Sequence, residues 1–424
     1  MAGEWTDVCL DDLVSRRNQG VNTTTEKISY SATGVVVIRA NNISPGNIDF
    51  ANVTFVDAET FGRIKDVCKP KQGDVLYTNI GSQFGNAAIV KATKPFVIAW
   101  NVLRLQPNDN VNAGFLTYLL NDPSTRSRIV GLNSSSTMPF VSGKEIGNVR
   151  FFIPALDEQR AIAHILGTLD DKIELNRRIN ETLEAMAQTL FKSWFVDFDP
   201  VRAKAEGRDL GLPKPIADLF PDSFEDSELG EIPKGWATGA IEDLADVSSG
   251  KRPEVRYSEA SAEANVPLWG GNGPMAFVPK ALIEHPILLT GRVGTLGVVF
   301  RITTPCWPSD NTLIVRPKNK TAFEYLFFEL RQIDFNSLNR GSTQPLLTQT
   351  DLKAQPLVLP PLELLSRFHA ATGDLYRRVD ESHVESRTLS ALRDTLLPKL
   401  ISGELRLGDP KRLVHDPAEK VGGE

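Results

Sequence analysis

Apolar residues recur at helical spacing over two long stretches of the chain. From Asp157 to Lys192 there are 36 residues with no proline and one glycine, Gly167; a continuous helix of that span is about 54 Å long. Asp157, shortly after Pro154, suits an N-cap, with Arg160 in the first turn. In a heptad frame Ile162, Leu169, Asn176, Leu183 and Leu190 fall at a, and Ile165, Lys172, Ile179, Met186 and Ser193 at d. The second stretch places Phe368, Leu375, Ser382, Leu389 and Leu396 at a, with Ala371, Arg378, Glu385, Leu392 and Lys399 at d. Both stretches are apolar at the ends and polar in the middle. Asn176 and Ser382 hold equivalent a positions, Lys172 and Arg378 equivalent d positions. A polar layer costs stability but fixes register. The pattern therefore predicts that the two helices pair, with Asn176, Ser382, Lys172 and Arg378 setting the alignment; the alternative is that each helix packs on its own domain.

Outside these stretches the pattern shortens to runs rich in Val, Ile, Thr and Phe, broken by Gly, Asn and Pro, which read as strands and turns. "GVVVIRANNI", "AAIVKAT" and "PFVIAWNVLRL" stand in the first half, "LGVVFRI" and "TLIVRP" in the second. "AGFLTYLLND" and "AFEYLFFELRQ" read as interspersed helices. The halves repeat each other. Ser136, Thr137, Pro139, Pro154 and Leu156 recur as Ser342, Thr343, Pro345, Pro360 and Leu362, a constant offset of 206 that continues through Gly167 and Gly373 to Leu190 and Leu396. "WNVLRL" resembles "DNTLIV", "VLYTNIGSQFG" resembles "ILLTGRVGTLG", and "WTDVCLDDL" resembles "WATGAIEDL". The expected organisation is a mixed α/β domain at 1–153, a spacer helix at 154–199, and a linker at 200–235 carrying at most one short helix, at "KPIADLF". A second domain at 236–359, a second spacer helix at 360–407 and a disordered tail at 408–424 complete it. Ser136 and Thr137 are read as shaping a turn.

Length supports more than one core, because 424 residues exceed the usual single domain. No apolar run approaches the roughly 20 residues of a membrane span, and the acidic start "MAGEWTDVCLDD" does not read as a signal peptide. Cys9, Cys68 and Cys306 are scattered and without CxxC spacing, which points away from disulfides and zinc and towards the cytoplasm. The net charge of −6 means that any nucleic-acid contact rests on local charge or on a partner.

The search for chemistry finds no catalytic or metal site. There is no G-x-x-x-x-G-K-[ST] loop, "GRVGTLG" is not followed by a helix, and the five histidines form no cluster. "VDFDP" lacks the further acid and lysine of a metal-dependent nuclease, and no methyltransferase-like motif pair occurs. The loops instead carry residues suited to reading base edges and holding phosphates. These are Arg39, Asn41 and Asn42; Thr78, Asn79, Ser82 and Gln83; Lys251, Arg252 and Arg256; Trp269 and Asn272; Arg292; and Arg340, Ser342, Thr343 and Gln344. The plain alternative for each is an ordinary polar loop. Two copies of one surface on a spacer longer than the ~34 Å of one B-DNA turn suit adjacent major grooves.

The duplicated plan, "P-x-L-x-E-Q-R-x-I" from Pro154, "SWFVDFDP" from Ser193 and the terminal "LLPKLISGELRL" resemble the DNA-specificity (S) subunit of Type I restriction-modification enzymes over nearly the whole chain. The second copy departs from it, with Leu364, Leu365 and Ser366 where "EQR" stands in the first. The resemblance implies an α+β fold: two mixed α/β target-recognition domains in tandem pseudo-repeat, separated by two long helices forming an antiparallel coiled coil. It further implies a non-catalytic subunit that reads a bipartite site on double-stranded DNA. The helices would set the gap and dock two methyltransferase subunits, with restriction (helicase-nuclease) subunits completing the complex. S-adenosylmethionine, ATP and Mg²⁺ would belong to those partners. A helical-rod scaffold that organises proteins without reading sequence is the alternative.

Overall fold

The computed structural model describes residues 5–133 and 139–408. Ser136, Thr137 and residues 409–424 of the expected tail lie outside the described residues. The chain divides into two compact units, Met1–Asn176 with Val384–Glu424, and Arg177–His383.

The first unit is built on a four-stranded sheet in the order Val14–Gln19, Val102–Pro107, Val75–Thr78, Ala87–Ile89, all antiparallel. Beside it stands a three-stranded sheet, Thr54–Val56, Val35–Ile38, Val97–Ile98, whose last pair is parallel. The short strands are dense in β-branched residues, and Val75, Leu76 and Tyr77 are buried on both faces. A two-stranded ribbon joins Thr6–Cys9 to Arg150–Ile153 and so ties the start of the domain to its end. The helix Ala113–Asn121 covers the sheet with Phe115, Leu116 and Leu120. Ile162 and Leu166 from the first long helix and Leu400 and Ile401 from the second enter the same core.

The second unit repeats this plan. Its four-stranded sheet runs Ala245–Ser249, Thr312–Pro317, Ile287–Gly291, Val299–Ile302, and its three-stranded sheet Gly273–Val278, Val266–Gly270, Trp307–Pro308 again ends in a parallel pair. Ala237–Ala240 pairs with Pro356–Leu359, and the helix Phe323–Gln332 takes the covering role. Residues 199–235 are folded rather than loose. They form a helix at Asp199–Ala205, a turn of helix at Lys214–Ala217 and a hairpin of Phe224–Ser227 with Gly230–Pro233. Phe198, Phe220, Ile232 and Trp236 are buried around Trp194 there, so a few aromatic residues order a segment whose Pro, Gly and acid content reads as open chain.

The long helices, Leu156–Phe191 and Leu362–Ser402, run antiparallel. Within the first unit Glu158 meets Arg406 (3.0 Å), Asp170 meets Arg393 (2.7 Å) and Asn176 meets Glu385 (2.7 Å). Within the second, the Phe191 and Phe368 rings lie 6.3 Å apart. The seam corrects the expected frame. The row Ile162, Leu169, Asn176, Leu183, Leu190 faces inward, but its companions are Leu166, Ile173, Asn180, Ala187 and Trp194, four residues on rather than three. In the second helix the companions of Phe368, Leu375, Ser382, Leu389 and Leu396 are likewise Thr372, Val379, Ser386, Arg393 and Leu400. The expected a row thus serves as d. Arg378, Ile179 and Met186 face solvent, and Lys172 stays half-exposed against Glu385 (3.3 Å). The misreading has a physical cause: the inward row uses small or polar residues, Ala187 and Asn180, while the outward row carries the more hydrophobic Ile179 and Met186. Asn176 is buried and donates to Glu385 and to the Ser386 hydroxyl (3.2 Å), so its partners in the layer are these two rather than Ser382.

Candidate nucleic-acid interface

In each unit, loops from both sheets converge at one end of the four-stranded sheet. In the first unit the end of Val14–Gln19, the 39–42 loop, the 79–85 loop, the 99–101 turn and the segment 139–142 come together. The Gln19 amide donates to the Asn79 side chain (3.0 Å) and to the Trp100 carbonyl. Asn101 Oδ1 accepts from the Ala40 amide (3.2 Å), and the Gly81 amide donates to the Pro139 carbonyl (2.9 Å). In the second unit the matching loops are 249–252, 270–273, 291–297, 308–311 and 340–347. The Arg292 amide donates to the Asn311 carbonyl (2.8 Å), Leu347 to the Arg292 carbonyl (2.8 Å) and Gly294 to the Pro345 carbonyl (3.0 Å).

The residues singled out in the sequence fall mostly in these loops, yet not all present themselves. Asn41 and Ser82 are exposed, as is Gln83, and Arg39 is half-exposed. Asn42, Thr78 and Asn79 are buried and correct the expectation of a contact surface. Asn42 accepts from the Arg39 amide (3.0 Å) and donates to the Asn52 carbonyl (2.8 Å). The Thr78 hydroxyl donates to the Gln83 carbonyl and accepts from the Asn86 amide (2.9 Å), while Asn79 donates to the Val141 carbonyl (3.2 Å). These side chains shape the loops from inside.

In the second unit Lys251, Arg252, Arg256, Asn272, Ser342, Thr343 and Gln344 are exposed. Trp269 is half-buried, its ring packed edge-on against Phe300 at 5.2 Å, so it fills the small sheet rather than the surface. Arg292 is half-exposed. Arg340 grips Asp351 with two hydrogen bonds (2.8 and 3.2 Å), a fork that fixes the 340–347 loop onto the short helix Gln349–Lys353. That bond, with a second from the Thr348 hydroxyl, draws the Asp351 carboxyl down to about 2. Arg340 as placed therefore braces the loop instead of offering its fork outward.

Two exposed residues in these clusters escaped the sequence reading, Trp100 and Asp310. The signal was present: "WNVLRL" and "DNTLIV" align them with each other. Among the described residues no group of three or more His, Cys, Asp and Glu is placed to hold a metal ion, and no helix is long and apolar enough to cross a membrane.

Comparison with known proteins gives the same plan. The sequence matches the family described as Type I restriction modification DNA specificity domain over residues 2–185 and 233–364. It is 25% identical to the Type I restriction enzyme HindI specificity subunit of Haemophilus influenzae, across 79% of this chain and 87% of that one. It is 26% identical to the MjaIX specificity subunit of Methanocaldococcus jannaschii, across 79% of this chain and 78% of the relative. The fold superposes on the crystal structure of a Type I restriction-modification S subunit from M. genitalium with a TM-score of 0.60 at 18% identity, covering 94% of this chain and 96% of that one. With the family matched over more than half its length and the same fold in a solved member, the chain belongs to the Type I restriction-modification DNA-specificity family.

Proposed function

We propose that the chain is the sequence-reading subunit of a Type I restriction-modification complex, in which each unit's loop cluster reads one half of a bipartite DNA target. The observation that carries this is the duplication of one loop cluster at the same end of the same strand order. Candidate contacts are the exposed Asn41, Ser82, Lys251, Arg252, Asn272 and Gln344, with the half-exposed Arg39 and Arg292 beside them. The antiparallel helices set the gap between half-sites. Their outward apolar residues, among them Leu175, Met186, Val384 and Leu392, offer docking faces for methyltransferase subunits. Methylation and ATP-dependent cleavage, with S-adenosylmethionine, ATP and Mg²⁺, fall to the partner subunits. The test is a complex of this chain with its methyltransferase subunits, its methylated sites mapped by sequencing. Replacing residues 1–150 by the corresponding domain of another family member changes one half-site and leaves the other. An unchanged target would overturn the reading in favour of a scaffold that does not read sequence.

A further inference from the structure

One turn in each unit is mounted in the same way but carries a different side chain. In the first unit the Val102 amide donates to the Ala99 carbonyl (3.0 Å), Gly20 to Val102 (3.0 Å), Val21 to Ile98 (2.8 Å) and Ala99 to Ile38 (2.9 Å). In the second, Thr312 donates to Ser309 (3.1 Å), Gly250 to Thr312 (3.1 Å), Lys251 to Pro308 (3.0 Å) and Ser309 to Trp269 (2.9 Å). These are the same four bonds between corresponding residues. The glycines correspond as well: a Cβ on Gly20 would overlap the Ala99 carbonyl oxygen, and one on Gly250 the Ser309 carbonyl oxygen. Backbone bonds common to both units therefore tie each turn to the end of the large sheet. At its tip stands Trp100 in one unit and Asp310 in the other, followed by Asn101 and Asn311.

Both tip residues are exposed, Trp100 to 49%. A tryptophan half in water on a rigid turn is an apolar face held ready for a partner, since no packing need of the domain places it there. Asp310 lies in the loop bonded through Pro308 to Lys251, next to Arg252. An acid on a loop bonded to one that carries exposed cations weakens general attraction to DNA. It is useful where it accepts a hydrogen bond from a base amino group.

We infer that Trp100 and Asp310 are equivalent specificity-determining residues, Trp100 reading an apolar base edge such as the thymine methyl in the first half-site and Asp310 accepting from the cytosine N4 amino group in the second. The inference rests on the DNA-reading function proposed above. Neither residue supports the core, so the position varies in chemistry while its mount stays constant.

The experiment selects bound sequences from a DNA library randomised in both half-sites, using the complex with methyltransferase subunits. Trp100→Ala reduces the preference at one base pair of the first half-site about tenfold, the scale of one lost base contact. Asp310→Ala does so at one base pair of the second and leaves binding to random DNA equal or tighter. Asp310→Asn turns the preferred cytosine into adenine, because an amide both donates to and accepts from that base. Melting temperatures stay at the wild-type value, which separates reading from folding. A wild-type complex with clear half-sites whose variants keep every preference would overturn the inference while leaving the parent reading intact. A wild-type complex with no half-site preference would overturn the parent reading and the inference with it.

Discussion

At the scale of single residues, the glycines beneath the two turns make a sharp contrast with the side chains above them. Gly20→Ala pushes a methyl group into a backbone carbonyl, an overpacking cost of about 2 kcal/mol. It is expected to lower the melting temperature and blur the first half-site alone; Gly250→Ala does the same for the second. Equal damage to both half-sites from either variant would contradict the independence of the mounts. Glu329 supplies a pH dependence. Burial pushes its carboxyl up to about 7, against a smaller opposing effect of the Tyr325 hydroxyl. A folded carboxyl that holds its proton more tightly than the unfolded one loses stability as pH rises from about 4.5 to about 7, and the loss persists above that. Glu329→Gln should therefore stabilise by about 2 kcal/mol at pH 8 and change little at pH 4, read from melting curves. A gain of the same size at both would show that the shift is not the cause. At this scale residue type picked out residues that fall mostly in the two loop clusters, but not the direction of each side chain. Asn42, Thr78 and Asn79 have the chemistry of base readers and satisfy backbone groups inside the domain instead, a choice set by the loop path rather than by the residue.

At the scale of elements, both long helices, the interspersed helices at 113–121 and 323–332, and the repeat itself were legible in the sequence, because each rests on a periodicity that survives divergence. The seam was not. Where residues three and four positions on are both plausible, hydrophobicity favours the larger side chain, whereas close helix approach favours the smaller. Ala187 is fully buried and Met186 is 53% exposed, the reverse of what their hydrophobicities suggest. Met186→Ser is expected to leave the melting temperature within about 1 °C, as an exposed substitution does, while weakening association with the methyltransferase subunit. Ala187→Leu inserts bulk into the seam and costs about 1–3 kcal/mol. If Met186→Ser destabilised the chain and Ala187→Leu did not, the corrected frame would be wrong. The 200–235 segment was illegible for a related reason: Phe220 and Ile232 within it, packed with Trp194, Phe198 and Trp236 at its flanks, fix its path, and composition averages them away.

At the scale of the whole molecule, the duplicated domain and its paired helices give the spacer reading a direct test. One heptad inserted into each long helix, after Glu174 in the first and opposite it near Arg387 in the second, preserves the seam and lengthens the pair by about 10 Å, some three base pairs of B-DNA. The recognised halves should stay the same and the gap between them grow. A constant gap would remove the helices from any role in setting it. The domain-scale plan was legible because it is written twice, and two weak patterns that agree amount to one strong one. Where the copies differ, at the tips of their loops above all, repetition marks the position but not the role of the side chain. The backbone mounts under Trp100 and Asp310 have a consequence for inheritance. A single codon change at either tip would alter the address the complex reads without unsettling the fold that carries it. Under the proposed function, modification and cleavage would then move together to the new address, since both would take it from this one chain, and new specificities become reachable by drift rather than by redesign.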